Sequence, residues 1–151
     1  YCNRGTSGID GSSSTALGVA LMSPSKLNVL ITGDVSFFYD SNALWNNNLP
    51  SNLKIILINN GGGGIFRFID GPSKTNQLED YFEAKHKFKA EHICKAFNVD
   101  YKEVSSGAEL ESQVQEFLSV KEVEKPSLLE VSTPFNVNGE VLRSYFNFIK
   151  N

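Results

Sequence analysis

Two short polar motifs carry side chains suited to holding a cation, and each directly follows a run of apolar residues. The sequence GDVS at residues 33–36 follows the run 27–32, and NNGG at residues 59–62 follows the run 53–58. The Asp34 carboxylate, the Asn60 amide and backbone carbonyls exposed by the glycines are oxygen donors of the kind that Mg²⁺ prefers, with substrate phosphates and water completing its shell. Taken alone, GD also fits an ordinary turn, and NG also fits a hairpin. Four successive glycines would hold the register of a hairpin poorly, which favours a ligand-binding loop.

The apolar runs before the motifs are typical of buried parallel strands. The runs at 27–32, 53–58 and 127–131 are short and bounded by proline or glycine, and residues 99–104 are a further candidate strand. Helical patterns are predicted over residues 13–21, 37–45, 90–97, 110–118 and 139–150. This alternation predicts an α/β, doubly wound, mainly parallel sheet with helices on both faces. Both motifs would then lie at the carboxyl ends of successive strands, where such sheets bind ligands.

Composition excludes several classes of function. The 151 residues are 40% hydrophobic and carry a net charge of −3, so the basic surplus expected of a nucleic-acid binder is missing. No apolar run approaches the length of a membrane span. Cys2 and Cys94 lack the spacing of a disulfide framework or a zinc site. GxGxxG and P-loop patterns are also missing, which argues against a dinucleotide or P-loop site.

Other features of the chain have ordinary interpretations. The chain starts at Tyr1 without a signal-peptide pattern, and we expect a fragment of a longer intracellular protein. Residues 70–89 are the least regular segment, and the lysine-rich run 85–89 is expected to be the solvated start of a helix. His86 and His92 lack partners at ligand spacing, so we expect surface or core histidines.

The pairing of the two motifs resembles the signature of thiamin diphosphate enzymes, in which GD is followed by NN after about 25 residues. Here 24 residues separate Asp34 from Asn59. The resemblance implies that Asp34, the Asn60 side chain and the Gly62 carbonyl ligate Mg²⁺, with Mn²⁺ as a possible substitute. The metal would hold the diphosphate, helped by Ser36 and the helix behind it. The cofactor-binding residues expected on this basis are Ile9, Gly33, Asp34, Val35, Ser36, Asn60, Gly62 and Ile65.

A third motif narrows the resemblance. The run NRGTSGIDG at residues 3–11, together with GDVSF, Asp40 and NNGGGGIF, is similar to the 2-succinyl-5-enolpyruvyl-6-hydroxy-3-cyclohexene-1-carboxylate synthase (MenD) family of menaquinone biosynthesis. The resemblance covers residues 1–151 as the C-terminal thiamin diphosphate-binding domain and is strongest over residues 3–68. It implies that Arg4 binds a substrate carboxylate, that Ile9 lies beneath the bent cofactor, and that Ile65 and Phe66 line the substrate pocket. Arg67 stands where a small polar residue is usual.

The family resemblance also implies a reaction and its partners. The enzyme would decarboxylate 2-oxoglutarate and add the resulting carbanion to isochorismate, in the cytoplasm. The activating glutamate is expected in a pyrimidine-binding domain of a neighbouring subunit, within a homodimer or homotetramer, so no catalytic residue is expected in this chain. Two alternatives stay open: another thiamin diphosphate enzyme of the acetolactate synthase or oxo-acid decarboxylase type, and a non-enzymatic α/β binding module.

Overall fold

The computed structural model describes residues 1–2, 8–119 and 124–150. Within these ranges the chain alternates helices and strands, as the apolar pattern predicts. In chain order the elements are α1 (Ser12–Met22), β1 (Asn28–Gly33), α2 (Asp34–Tyr39), β2 (Leu53–Asn59), α3 (Glu91–Ala96), β3 (Asp100–Val104), α4 (Gly107–Ser119), β4 (Ser127–Ser132) and α5 (Asn138–Lys150). None of the helices formed by these residues is both long and apolar enough to cross a membrane.

The four strands form one sheet in the order β1-β2-β4-β3, and every neighbouring pair is parallel. The central strands β2 and β4 are buried along most of their length, because their side chains face packed helices on both sides. Gly33 pairs with Ile58 in register, and Asn59 pairs with Ser132. The GD and NN motifs therefore lie side by side at the carboxyl ends of the strands.

Separate apolar clusters cover the two faces of the sheet. One face packs against α1, α2 and α3 around Phe37, Ile55 and Leu128, and the other packs against α4 around Phe117 and Leu129. Helices α1, α2 and α3 lie on one face and α4, between β3 and β4, lies on the other, so helices cover both faces of the sheet. The predicted doubly wound parallel α/β fold is confirmed.

Two predictions differ from the structure in detail. The predicted helix over residues 37–45 begins earlier, at Asp34, and is interrupted at Asp40, after which Ser41–Leu44 form a 3₁₀ turn. The interruption coincides with two hydrogen bonds from Ser14 to the Asp40 carboxylate, at 2.7 and 2.6 Å, which join α2 to the first turn of α1. The expectation that the lysine-rich run starts a helix is wrong: residues 84–89 are irregular, and α3 begins at Glu91.

The segment between β2 and α3 consists of short helical turns rather than a structureless loop. Gly64–Arg67 and Pro72–Lys74 are 3₁₀ turns, and Leu78–Phe82 is a π turn. Within this segment an ion pair joins the first 3₁₀ turn to the residue after the π turn. The Arg67 guanidinium lies 2.5 Å from the fully buried Glu83 carboxylate. Such pairing is what allows a carboxylate to be buried at all.

Candidate functional site

The Asp34 carboxylate joins the two motifs directly. Its Oδ2 atom accepts hydrogen bonds from the backbone N–H groups of Gly61 and Gly62, at 2.7 and 2.8 Å, and its Oδ1 atom accepts one from Val35 at 2.8 Å. The residue is only 2% exposed. Parallel pairing of β1 with β2 brings the GD turn and the NNGG loop side by side, so the contact follows from the sheet rather than from either motif alone.

Glycine is required in the NNGG loop for steric reasons. Gly62 has a φ of +154°, and a Cβ atom there would lie 2.6 Å from the Glu83 carbonyl oxygen. The Asn60 amide nitrogen lies 2.7 Å from the position that a Cβ on Gly64 would occupy. The loop can therefore approach the backbone at Glu83 only without a side chain at Gly62, whereas the Asn60 side chain could move away from a Cβ at Gly64.

Ser36 connects the GD turn to the segment before α1. Its hydroxyl donates to the Ile9 carbonyl at 2.8 Å and lies 3.0 Å from the Ser12 hydroxyl. Ile9 and Ser36, which the resemblance assigns to the cofactor, are thus brought together beside Gly33 and Asp34. Arg4 lies outside the described residues, so its predicted role stays a prediction.

Ile65 and Phe66 lie on the 3₁₀ turn after the glycines. The Ile65 side chain is 57% exposed, whereas the ring of Phe66 packs against Phe82 with centroids 5.5 Å apart. An exposed isoleucine beside the glycine loop is available to a ligand or to another domain. Phe66 has a packing role in addition to any role in a pocket.

His86 is the main residue of the site that the sequence analysis missed. Its Nε2 atom lies 3.2 Å from Oδ2 of Asp34, and its side chain is only 8% exposed. Its Nδ1 atom accepts a hydrogen bond from the Phe88 backbone, and its ring stacks on that of Phe88 at 5.1 Å. The contact joins residues 52 positions apart in sequence, and no local spacing could have indicated it.

A cleft of about 460 Å³ opens beside this loop at the carboxyl edge of β2 and β4. Lys85, Lys87 and Lys89 line it together with Asn60 and His86. Lys85 is paired with Glu79 at 2.8 Å, and Lys89 is paired with Glu103 and Ser132. These contacts hold the pKa of Glu79 and of Glu103 below its usual value, chiefly through the hydrogen bonds from the two lysines. Since carboxylates neutralise Lys85 and Lys89, Lys87 is, among the described residues, the lysine of this lining whose positive charge is available to an acidic small molecule.

The oxygen donors at Asp34 and the glycine loop fit a hard divalent cation. Among the described residues, Oδ1 of Asp34 accepts one hydrogen bond, which leaves it a lone pair for a metal. The Gly62 carbonyl accepts a hydrogen bond from Gly64 at 2.9 Å and also has a second lone pair. In the described part of the chain no three His, Cys, Asp or Glu side chains converge. One carboxylate, one carbonyl and the Asn60 amide are instead an oxygen set of the kind that magnesium binds together with phosphate.

Behind the site, a fully buried glutamate organises the centre of the sheet. Glu130 on β4 accepts hydrogen bonds from Asn59, from the Ala90 backbone and from the Tyr101 hydroxyl. Burial is the largest cause that raises the pKa of Tyr101 well above its usual value, and the hydrogen bond to Glu130 and the charge of Glu130 add to it. Burial, and secondly the Glu130 charge, raises the pKa of Cys94 to about 12. Both groups are therefore neutral at physiological pH.

Comparison with known proteins identifies relatives over the same region. Residues 2–131 match the sequence profile of the thiamine pyrophosphate enzyme, C-terminal TPP binding domain. The chain is 53% identical over 150 residues to the 2-succinyl-5-enolpyruvyl-6-hydroxy-3-cyclohexene-1-carboxylate synthase of Christiangramia forsetii, covering 99% of the chain and 26% of that protein. It is 42% identical over 150 residues to the synthase of the same name from Bacteroides fragilis, covering 99% of the chain and 27% of that protein. The chain thus spans about a quarter of the length of the curated relatives it matches.

A solved structure shares the fold. The thiamine diphosphate-dependent 4-hydroxybenzoylformate decarboxylase of Rhodococcus jostii RHA1 superposes with a TM-score of 0.62 at 25% sequence identity, over 80% of this chain and 22% of that one. The resemblance inferred from the three motifs is confirmed by the named relatives and by the family profile.

Proposed function

Because the chain belongs to the thiamine pyrophosphate enzymes, as their C-terminal TPP-binding domain, we propose that it forms the Mg²⁺ and diphosphate half of a 2-succinyl-5-enolpyruvyl-6-hydroxy-3-cyclohexene-1-carboxylate synthase. The proposal takes residues 1–151 as that domain of a longer, cytoplasmic enzyme. The observation that carries it is the Asp34 carboxylate, which is buried between the GD turn and the NNGG loop and bonded to Gly61 and Gly62. Relatives of that name, 42–53% identical over nearly the whole chain, support the choice of reaction.

In this proposal the chain's residues bind and orient, and the cofactor supplies the reactive carbon and the electron sink for decarboxylation. Asp34, Asn60 and the Gly62 carbonyl would hold Mg²⁺, or Mn²⁺ in its place. Ser36 and the backbone of Gly33 and Val35 would lie along the diphosphate, and Ile9 and Ile65 would contact the rings.

The proposed substrates are 2-oxoglutarate and isochorismate, both polyanions at neutral pH. Arg4 is assigned to a substrate carboxylate, because a guanidinium binds a carboxylate through two parallel hydrogen bonds. Phe66 and Ile65 are assigned to the apolar wall of the pocket. Lys87, on the cleft beside Asn60, offers such substrates a positive charge.

The proposed partner is the pyrimidine-binding domain of a neighbouring subunit, in a homodimer or homotetramer. Helix α5 supports this arrangement, since Val141, Tyr145, Phe148 and Ile149 are each more than half exposed on one side of it. Apolar surface on this scale is typical of a protein interface.

The test uses calorimetric titration of the intact protein with thiamin diphosphate, with and without Mg²⁺, for two matched variants. Asp34→Asn should abolish Mg²⁺-dependent binding, because an amide has lost the charge that holds the cation. Asp40→Asn is the control: Asp40 is also buried, but among the described residues its carboxylate accepts hydrogen bonds only from Ser14, so binding should persist at a lower melting temperature. Equal loss of binding in both variants, or binding without Mg²⁺, would contradict the metal assignment.

Substrate choice is tested separately by CO₂ release. With isochorismate present, 2-oxoglutarate should be consumed and pyruvate should not. Consumption of pyruvate alone would favour an enzyme of the acetolactate synthase or oxo-acid decarboxylase type, and absence of any cofactor binding would favour a non-enzymatic module.

A further inference from the structure

The carboxylate of Glu130 lies at the centre of the sheet, at the start of a chain of hydrogen bonds that reaches the glycine loop. Glu130 is fully buried. Its Oε1 atom accepts from the Asn59 side-chain amide at 2.5 Å, while Oε2 accepts from the Ala90 backbone at 3.0 Å and from the Tyr101 hydroxyl at 2.8 Å. Three donors converge on this side chain, and its two oxygens have enough lone pairs to accept from all three.

The bonds of Asn59 fix which way its amide group faces. The Nδ2 atom donates to Glu130 and also to the Phe88 carbonyl at 2.9 Å. The opposite atom, Oδ1, is thereby turned toward the loop and accepts from the Gly61 N–H at 3.0 Å. Reversing the amide would set its nitrogen against the Gly61 N–H and its oxygen against the Phe88 carbonyl.

The Gly61 N–H is the point where this chain of bonds meets the site. It lies between Oδ1 of Asn59 and Oδ2 of Asp34, at 3.0 and 2.7 Å. Gly61 has a φ of +79°, a conformation that glycine adopts readily, and in it the N–H points to these two acceptors.

We propose that Glu130, acting through the side chain of Asn59, is a positioning residue for the Gly61–Gly62 loop and so for the cofactor's metal and diphosphate. The effect on cofactor binding rests on the function proposed above, whereas the effect on the loop does not. Glu130 acts by orientation and touches neither the proposed cation nor the substrate.

The chemical requirement is for an acceptor at Oε1, and Glu130→Gln tests it with almost no change in shape. If the glutamine oxygen keeps the bonds of Ala90 and Tyr101, its NH₂ group faces the NH₂ group of Asn59. Asn59 must then turn or withdraw, and the Gly61 N–H loses its second acceptor. Tyr101→Phe is the matched control, since it also removes one hydrogen bond from Glu130 but leaves the Asn59 side of the carboxylate untouched.

The first measurement is hydrogen–deuterium exchange of peptides covering residues 59–66 in the intact protein without cofactor. We expect faster exchange at the loop in Glu130→Gln and in Asn59→Ala, and exchange like that of the unmodified protein in Tyr101→Phe. In the double variant, Glu130→Gln should add nothing at the loop to the effect of Asn59→Ala, because the two residues act in series. Unchanged loop exchange in Glu130→Gln, an equal increase in Tyr101→Phe, or additive effects in the double variant would overturn the proposal.

The second measurement is calorimetric titration of the same variants with thiamin diphosphate and Mg²⁺. Glu130→Gln and Asn59→Ala should raise the dissociation constant about tenfold, the scale of one lost buried hydrogen bond, and Tyr101→Phe should leave it unchanged. Where Glu130→Gln does not fold, Asn59→Ala and Tyr101→Phe decide, because each removes one donor from Glu130 and only the first should affect the loop. An unmodified protein that binds no cofactor would refute the proposed function, while the exchange experiment would still decide whether Glu130 positions the loop.

Discussion

At the scale of single residues, Asp34 combines two roles that cannot be separated by mutation to alanine. The carboxylate that would bind the cation also accepts three hydrogen bonds, from the backbone N–H groups of Val35, Gly61 and Gly62. A carboxylate at such a junction holds the loop before any ligand arrives. Variants of Asp34 must therefore be assessed for stability and for binding together.

Asp34→Ala is expected to destabilise the fold as well as remove cofactor binding. It leaves the buried Gly62 N–H without its acceptor, at a cost of about 1–3 kcal/mol, and it also removes the bonds from Val35 and Gly61. Urea unfolding followed by circular dichroism measures the change in the free energy of unfolding. An Asp34→Ala protein as stable as the unmodified one would mean that the loop finds other acceptors.

The Cys94 thiol is expected to be inert in the folded protein. Because burial raises its pKa to about 12, its thiolate fraction at pH 8 is about a thousandfold lower than that of an ordinary thiol. Brief treatment with iodoacetamide at pH 8, followed by peptide mass spectrometry, should label the exposed Cys2 and not Cys94. Denaturation before treatment should make both reactive, and rapid labelling of Cys94 without denaturant would contradict the prediction.

The same shift has a consequence for stability at alkaline pH. The folded-state pKa is raised above the reference value of 9.0, so the folded state retains a proton that the unfolded chain loses. The contribution is complete below pH 9 and declines as the pH rises from 9 toward 12. Cys94→Ala should therefore show a shallower loss of melting temperature between pH 9 and 11 than the unmodified protein, with both curves recorded by calorimetry.

At the scale of elements, the connection between β2 and α3 depends on one buried ion pair. Arg67 follows the glycine loop, and Glu83 lies at the end of the π turn, with 2.5 Å between their charged groups. The hydrogen bond to Glu79 is the largest cause that raises the pKa of Arg67, and Glu83 adds to it. Residues 67–83 are thereby closed into a loop beside the site.

Arg67→Ala should destabilise the protein by about 3 kcal/mol, because among the described residues it leaves the buried Glu83 only Lys85 as a cationic neighbour, at 3.9 Å. Guanidinium unfolding measures the loss. Glu79→Gln is the control: it removes the exposed partner of Arg67, and we expect little change. The combined change Arg67→Met with Glu83→Gln should recover most of the stability, and failure of that recovery would show that the pair is not the cause.

At the scale of the whole molecule, apolar surface remains uncovered on two elements. On the outer strand β1, Val29 and Ile31 are 42% and 68% exposed on the face opposite α1. Helix α5 contacts the rest of the chain mainly through the turn at Gly64–Arg67 and the stacked rings of Phe68 and Phe146. These surfaces suit burial against further protein.

A protein of residues 1–151 alone should therefore associate with itself and should not turn over substrate. Sedimentation velocity should show association that Phe148→Glu weakens, because the charge falls on the apolar side of α5. Asn147→Glu, which adds the same charge on the polar side, should have little effect. Turnover of 2-oxoglutarate by this protein alone would contradict the expectation that the activating glutamate lies in another domain.

The sequence determined the elements and the two motifs at the site because both are encoded over short distances. Apolar runs bounded by proline or glycine predicted β1, β2 and β4 to within a residue or two, and a parallel sheet necessarily gathers the carboxyl ends of its strands at one edge. Asp34 and the loop at Gly61 and Gly62 could therefore be expected to lie close together before any coordinates were known.

Only the tertiary structure decided which side chains surround those motifs. The contacts of His86 with Asp34, of Glu130 with Asn59 and of Arg67 with Glu83 join residues 52, 71 and 16 positions apart. No periodicity or turn chemistry links such pairs, since each forms because packing excludes water from a charged or polar group that must then find a partner inside the protein. The lysine-rich run at residues 85–89 shows the same limit of sequence reasoning. Its composition suggested a solvated helix start, but the tertiary structure places it along the cleft at the carboxyl ends of the strands.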